Sequence, residues 1–270
     1  MRVQRKGFFA VLLQLKYSMK LLIKLNPINL SLPTMGRAFE FRKARKMKRW
    51  GKMAVTFTRI GKEISMAVKE GGPDPDNNSR LRMAMKNAKS ENMPKDRVEA
   101  AIKKASDKDA SNYEEVLYEG KGPYGLSLMI ETATDNINRT VANVRAIFRK
   151  NEGELGTSGS QEFNFERKCI FKVNLGELDI EEAELELIDF GLEEIEQVED
   201  ETLIYTGFTD YGNMQKGLEG QGIEIVSVDI ERIPHNTLDL NAEQKEVVEK
   251  LIEKLEEDED VQNVFHNAVL

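Results

Sequence analysis

The spacing of the apolar residues changes near Asn112, and this change restricts the chain to a helical region followed by α+β structure. From Phe39 to Val68 apolar residues recur at roughly helical intervals, with Arg and Lys between them, which predicts one or two amphipathic helices. After Asn112 the apolar residues form short alternating runs separated by glycine-rich turns, which predicts β-strands. The first region is therefore expected to be all helical, and the second to contain sheets.

Two proline-containing turns divide the helical region. Residues 70–76 include two Gly and two Pro, which end a helix, and Asn78 or Ser79 can cap the next one. A second turn at residues 92–96 ends that helix, and Asp96 is predicted to cap a third. These turns are either helix connectors or contact loops, and the sequence leaves both interpretations open.

The order of elements in the second half predicts two interleaved α+β units. The first begins with strands at 113–119 and 126–132, a helix at 136–150 and a strand around Phe163 and Phe165. Residues 169–230 then have the order strand, helix, strand, strand, helix, strand, which is ferredoxin-like. This unit is complete by itself, so we interpret it as an insertion. A later helix at 242–256 and a strand at 261–266 would complete the first unit.

We therefore predict an α+β, multidomain fold: an all-helical basic N-terminal domain followed by two α+β (ferredoxin-like) domains, one inserted in the other. The expected parts are an extension at 1–34, a basic helical domain at 35–111, a discontinuous α+β domain at 112–168 plus 232–270, and an inserted domain at 169–231.

The first 34 residues begin like a secretion signal but do not continue as one. Gln14 and Lys16 interrupt the apolar run, and Lys20 and Lys24 make the next segment too charged to cross a bilayer. A helix lying on a membrane surface is one interpretation. We prefer an upstream extension with Met35 as the true start, and we expect no membrane partner.

Charge is distributed very unevenly along the chain. Residues 35–108 contain 20 Lys or Arg against 9 Asp or Glu, a net charge of +11, and residues 1–34 add six basic and no acidic residues. Residues 109–270 contain 13 basic against 38 acidic residues, a net charge of −25. This asymmetry indicates a polyanion-binding end joined to an acidic body, although charge runs also occur as plain solvated faces.

The basic helical segment supplies the candidate nucleic-acid contacts. Lys and Arg that meet phosphates release counterions, which gives salt-sensitive and largely sequence-independent affinity. The interleaved aromatic residues Trp50 and Phe57 are interpreted as core. The candidate contact residues are Arg37, Arg42, Lys43, Arg45, Lys46, Lys48, Arg49, Lys52, Arg59, Lys62, Arg80, Arg82, Met93 and Lys95.

The sequence shows no arrangement of residues that indicates an enzyme. The single cysteine, Cys169, is interpreted as a buried strand residue in a protein of the reducing cytoplasm. The glycine-rich residues 153–160 can surround a phosphate but lack the ending of a nucleotide-binding P-loop. His235 and His266 belong to no group with metal-ligand spacing. We expect no catalytic residue, metal, cofactor or small-molecule substrate.

Several ordered blocks carry a family resemblance from Met35 almost to the end of the chain. The blocks are Gly71–Pro75, Ser79–Arg82, Asn92–Asp96, Tyr118–Gly120, Gly122–Pro123, Thr134–Val141, Gly156–Ser160 and Asp260–Asn267. The chain resembles the YebC/PmpR family, whose mitochondrial members are translational activators of cytochrome oxidase. The resemblance implies three domains and a role in gene expression. It does not extend to the opening, where the family commonly has His-Ser-Lys-Trp and this chain has Met35–Arg42.

Three functions are compatible with these observations. The first is a ribosome- or RNA-associated translation factor that contacts ribosomal or transfer RNA through the basic helices, and the resemblance implies that such a factor relieves stalling. The second is a DNA-binding transcriptional regulator, which would need dimer symmetry or a defined reading helix on duplex DNA. The third is a protein-interaction module in which the acidic domains bind a partner.

Overall fold

A computed structural model describes residues 53–107, 112–176, 179–198 and 201–270. Within these residues the protein combines helices and sheets, with helices first and sheets after them, as predicted. None of the described helices has the length and apolarity needed to cross a membrane.

Three helices form the first part of the described chain: α1 (Met53–Gly71), α2 (Ser79–Ser90) and α3 (Lys95–Ser106). Their shared core includes Ile64, Leu81 and Val98. Of the two caps predicted for α2, Asn78 and Ser79, the structure has Asn78, whose side-chain oxygen accepts a hydrogen bond from the Leu81 amide. The prediction for α3 is wrong, because the helix begins at Lys95 after a Pro94 N-cap, and Asp96 lies in its first turn.

A four-stranded antiparallel sheet, here called sheet A, follows the helices. Its elements are β1 (Glu114–Lys121), β2 (Ser127–Thr134), β3 (Glu154–Leu155) and β9 (Val261–His266), in the order β3-β1-β2-β9. Helices α4 (Ile137–Lys150) and α7 (Ala242–Glu256) pack on it, through Phe148 and Leu251 among others. The last strand of sheet A is therefore distant in sequence from the first three.

A second four-stranded antiparallel sheet, here called sheet B, is formed by the intervening residues. Its elements are β4 (Phe165–Asn174), α5 (Ile180–Leu187), β5 (Leu192–Val198), β6 (Glu201–Gly207), α6 (Tyr211–Gly220) and β7 (Glu224–Pro234), with the strand order β5-β6-β4-β7. A short parallel pair, β8 (Leu238–Asp239) and β10 (Ala268–Val269), lies beside sheet A.

Two strands of sheet B are longer than the sequence indicates. Phe165 and Cys169 belong to one continuous strand, β4, and β7 continues to Pro234. Both strands extend across the boundaries expected at 168/169 and 231/232. Phe163 was predicted to lie in a strand, which is wrong: it lies in a single 3-10 turn, and 72% of it is exposed.

Candidate nucleic-acid interface

Most of the predicted basic array precedes the described part of the chain. The candidates Arg37, Arg42, Lys43, Arg45, Lys46, Lys48, Arg49 and Lys52 lie outside the described residues. Residues 53–107 contain 11 basic and 8 acidic side chains, a net charge of +3. The larger share of the positive charge therefore belongs to residues 37–52, and the structure shows how the remaining candidates are arranged.

Lys62 is not a surface contact, which corrects the prediction. The residue is 8% exposed, and its ammonium donates to the carbonyl oxygens of Ala133 (2.9 Å) and Glu259 (2.7 Å). It also forms a 2.9 Å ion pair with Asp260 and lies 5.3 Å from the centre of the Tyr113 ring. All three ammonium protons are thus used within the chain, and Lys62 fixes α1 against sheet A.

Asp260, on the turn before β9, is the centre of this network. Its second carboxylate oxygen accepts hydrogen bonds from Arg139 (2.7 Å), Thr140 (2.8 Å) and Thr134 (3.2 Å). Burial alone would raise the pKa of Asp260, but the hydrogen bonds from Arg139, Lys62 and Thr140 outweigh it and lower the pKa to about 2. The carboxylate is therefore ionised whenever the protein is near neutral pH.

Arg59, one turn before Lys62, also helps to hold α1 in place. Its guanidinium donates to the carbonyl oxygen of Glu256, the last residue of α7, at 2.9 Å. A cation at this position also interacts favourably with the negative end of the helix dipole. Arg59 and Lys62 therefore attach one side of α1 to α7 and sheet A.

The candidates Arg80 and Arg82 are also partly used inside the protein. Arg80 forms ion pairs with Glu70 on α1 and Glu115 on β1, while 38% of its side chain stays exposed. Arg82 donates to the carbonyl oxygens of Pro75 (2.7 Å) and Asp76 (2.9 Å) and so holds the first proline-containing turn. Both arginines have a structural role whether or not they also meet a ligand.

The second turn places one candidate inward and one outward. Met93 is half-buried against the core of the three helices, and its amide donates to the Ala88 carbonyl oxygen at 2.8 Å. The Lys95 side chain is 87% exposed, with a 3.4 Å ion pair to Glu99. Of the two, only Lys95 presents its functional group to solvent.

Helix α3 exposes further cations that were missing from the predicted set. Lys103 and Lys104 are exposed near its end, and the exposed Arg97 guanidinium lies 5.6 Å from the centre of the Phe57 ring. Their position opposite the buried Val98 and Ala105 follows from the helical period, so the sequence pattern contained this signal. These side chains, unlike Lys62, are available to an external anion.

Helix α2 is attached to sheet B rather than free to enter a groove. The Asn87 side chain donates to the Val228 carbonyl oxygen at 2.8 Å and accepts from the Val228 amide at 3.0 Å. It thus continues the hydrogen bonding of the edge strand β7, and Met83 packs into the core of sheet B. With α1 attached to sheet A, the helices are held by both sheets.

Two family models match this chain along most of its length. One family model, described as the TACO1/YebC protein N-terminal domain, matches residues 37–108. A second, described as the TACO1/YebC second and third domain, matches residues 113–268. The chain belongs to the TACO1/YebC family. The resemblance found in the sequence is thereby confirmed.

Relatives within the TACO1/YebC family are similar along nearly their whole length. A protein of Porphyromonas gingivalis is 59% identical over 234 residues, which cover 86% of this chain and 97% of the relative. One of Flavobacterium johnsoniae is 60% identical over 232 residues, covering 86% and 98%. Both are named "Probable transcriptional regulatory protein". The crystal structure of a conserved hypothetical protein, Aq1575, from Aquifex aeolicus is 37% identical, with a TM-score of 0.67 over 80% of this chain and 90% of that one.

The glycine-rich loop, one of the sequence blocks shared with the TACO1/YebC family, binds the side-chain carboxylate of Glu119. The carboxylate of Glu119, which is 3% exposed, accepts hydrogen bonds from the amides of Gly159 (2.6 Å), Gln161 (2.6 Å) and Glu162 (3.2 Å). Backbone amides grouped in this way form an anion-binding concavity. Because Glu119 occupies it, the loop is a structural element of sheet A.

One side chain that was considered for enzymatic chemistry lies in the interior of the protein. Cys169 is fully buried in sheet B, as predicted, and burial raises the pKa of its thiol to about 11. In the described part of the chain, no three His, Cys, Asp or Glu side chains are grouped so as to hold a metal ion.

Proposed function

We propose that this protein is a non-enzymatic, cytoplasmic, nucleic-acid-binding regulator of gene expression, acting as a ribosome- or RNA-associated translation factor that relieves stalling. The observation that carries the proposal is the separation of charge, +11 over residues 35–108 against −25 over residues 109–270. The positive part attracts phosphates, while the acidic part repels the same polyanion and so limits where it binds.

The residues proposed to contact phosphates, together called the basic surface, are the cations in the sequence 37–52 and the three lysines Lys95, Lys103 and Lys104. Residues 37–52 contain eight Lys or Arg and one acidic residue. The three lysines are exposed on α3. Arg59 and Arg80 belong to the proposal only as residues that position α1 and α2, and Lys62 is not part of the basic surface.

The composition of the described helices favours contact with a nucleic-acid backbone over the reading of base edges. Reading duplex DNA in the major groove uses Arg, Asn or Gln presented by a helix. Helix α3 contains no Asn or Gln, the guanidinium of its one arginine, Arg97, lies over the Phe57 ring, and the Asn87 side chain of α2 is bonded to β7. RNA can be recognised by shape and backbone contacts, so ribosomal or transfer RNA is the preferred partner.

A DNA-binding transcriptional regulator of the YebC/PmpR type is the second candidate. It is favoured by the names of the relatives from Porphyromonas gingivalis and Flavobacterium johnsoniae. The same basic surface would then contact duplex phosphates. The RNA-binding and DNA-binding functions therefore use the same residues and differ only in the nucleic acid that is bound.

Co-sedimentation with ribosomes, run beside duplex-DNA binding at matched salt, separates the two candidates. In the same titrations, Lys103→Gln/Lys104→Gln should reduce the salt dependence of affinity by about 1.4 logarithmic units per tenfold change in salt for single-stranded RNA, or about 1.8 for duplex DNA. Lys216→Gln/Lys250→Gln is the matched control, since both lysines are exposed on helices of the acidic part. Its salt dependence should equal that of the wild type.

Charge reversal within residues 37–52 tests the proposal more severely. Replacing Arg42, Lys43, Arg45 and Lys46 by Glu should abolish binding to RNA and DNA while the circular-dichroism melting curve stays unchanged. If this variant binds either nucleic acid with the affinity and salt dependence of the wild type, the proposed function is wrong.

The chain is also proposed to divide into three domains. We propose a basic helical domain at 35–111, a discontinuous α+β domain at 112–168 plus 232–270, and an inserted ferredoxin-like domain at 169–231, with strands β4 and β7 continuing across the boundaries at 168/169 and 231/232. The ferredoxin-like description is supported by the order of elements from β4 to β7 and by the strand order β5-β6-β4-β7.

A further inference from the structure

Helix α5 has an apolar pair on the side that faces away from sheet B. Ala183 and Leu187 are buried beneath the helix, whereas Leu185 is 75% exposed and Ile188 is 56% exposed. Leu185 and Ile188 are three positions apart, so they lie next to each other on one face. Ile188 keeps helical backbone angles after the end of α5. Together with Glu181 and Glu184, these two residues are called the outer face of α5.

The sequence around the outer face is strongly acidic, and the nearest cations along the chain are Lys172 and Lys216. Residues 173–215 contain 14 Asp or Glu and no Lys or Arg. Glu181, Glu182 and Glu184 are all exposed beside the apolar pair. A surface of this kind repels nucleic acid, anionic lipid and the same face of a second copy, because each of these is itself negative.

A ligand that matches both the apolar pair and the surrounding negative charge must carry cationic and apolar groups together. Lys or Arg side chains would meet the glutamates, while apolar side chains cover Leu185 and Ile188. An amphipathic helix with a basic polar face presents both on adjacent sides, and such helices bind along a partner's surface through residues three and four apart. We propose that the outer face of α5 is a docking site for a basic amphipathic helix of a partner protein.

This inference does not rest on the proposed nucleic-acid function. The outer face is part of the acidic domains, and the residues of the basic surface lie in the first half of the sequence, at 37–52 and 95–104. Loss of nucleic-acid binding would therefore leave the docking of a cationic helix unaffected. The face is small, so the complex is expected to be weak and transient.

The test uses the full chain and a fluorescein-labelled amphipathic peptide of Leu and Lys, measured by fluorescence anisotropy. Leu185→Ser/Ile188→Ser should weaken binding about tenfold or more, because two apolar side chains lose their burial. Phe163→Ser/Val269→Ser, a pair of exposed apolar residues in other parts of the chain, is the matched control and should bind within about twofold of the wild type.

A second variant tests the charge separately from the apolar pair. Glu181→Gln/Glu184→Gln should weaken binding at low salt and reduce its salt dependence, whereas Glu243→Gln/Glu246→Gln on the exposed side of α7 should change neither. All four substituted carboxylates are exposed, so folding is expected to be unaffected.

Three results would overturn the proposal. The first is a wild-type chain that does not bind the peptide, or that binds a Ser and Lys peptide of equal charge just as tightly. The second is equal affinity of Leu185→Ser/Ile188→Ser and the wild type. The third is a wild-type oligomer that the same variant converts to monomer in sedimentation equilibrium, which would assign the face to self-association.

Discussion

Replacing Asp260 by Asn is expected to destabilise the folded protein by about 3 kcal/mol at neutral pH. The substitution leaves the buried Lys62 ammonium without its carboxylate partner, which typically costs about 3–5 kcal/mol. The lower end of this range applies because the Lys62 ammonium keeps its hydrogen bonds to the carbonyl oxygens of Ala133 and Glu259.

The lowered pKa of Asp260 gives the stabilisation that its ionised form contributes to the folded chain. The network lowers that pKa from 3.8 to about 2. Each pH unit between the two values corresponds to about 1.4 kcal/mol, so ionised Asp260 stabilises the folded chain by about 2.5 kcal/mol. A lowered pKa gives stability that is fully present above pH 3.8 and is lost as the pH falls through about 2.

Urea unfolding followed by circular dichroism, repeated from neutral pH down to pH 2, measures the cost of Asp260→Asn and its dependence on pH. The difference between wild type and Asp260→Asn should be constant above pH 4 and should shrink between pH 4 and 2. Asp135→Asn is the control, since Asp135 also pairs with Arg139 but is exposed, and it should cost less than about 1 kcal/mol. A cost below about 0.5 kcal/mol for Asp260→Asn, or a difference that is undiminished at pH 2, would refute the reasoning.

Two further substitutions test the other internal contacts. Glu119→Gln should cost about 2 kcal/mol, because an amide cannot accept all the backbone hydrogen bonds of the glycine-rich loop. Thermal melts should show this loss, while the exposed Glu114→Gln on the same strand should melt like the wild type; equal melts for both would contradict the role of Glu119. Asn87→Ala should speed hydrogen exchange of the Val228 amide at least about tenfold, because it removes about 1.5 kcal/mol of hydrogen bonding. The exposed Asn77→Ala is the control, and an unchanged Val228 rate would argue against docking of α2 through Asn87.

Local sequence patterns predicted the elements of the fold well where the elements are periodic and capped. Asn78 caps α2 as expected, and the helix at 242–256 and the strand at 261–266 have the predicted bounds. These features depend on neighbouring residues alone, and for that reason one sequence was sufficient to find them. At α3 two residues on either side of Lys95, Pro94 and Asp96, were possible N-caps. Pro94, which fits the beginning of a helix, occupies the N-cap in place of Asp96.

Residues whose environment comes from distant parts of the chain were predicted less well. Lys62 lies opposite the side of α1 that carries Ile60 and Ile64, so its helical position indicates solvent. The structure instead buries both sides of α1: one packs on the helical core, and the other meets Asp260, 198 positions later in the chain. Phe163 shows the converse error, since its apolar character suggested a strand although it is exposed in a turn.

The burial of Lys62 also separates two roles that positive charge has in this protein. Arg59 donates a hydrogen bond to the end of α7, and Lys62 donates to the turn before β9. The two residues therefore fix α1 against sheet A. Asn87 and Met83 attach α2 to sheet B by uncharged contacts. Since α1, α2 and α3 share one core, α3 is held by both attachments, and its exposed lysines have a fixed place relative to the two sheets. A cation count alone cannot distinguish lysines that bind a polyanion from those that orient the binding ones, but burial and partner geometry can.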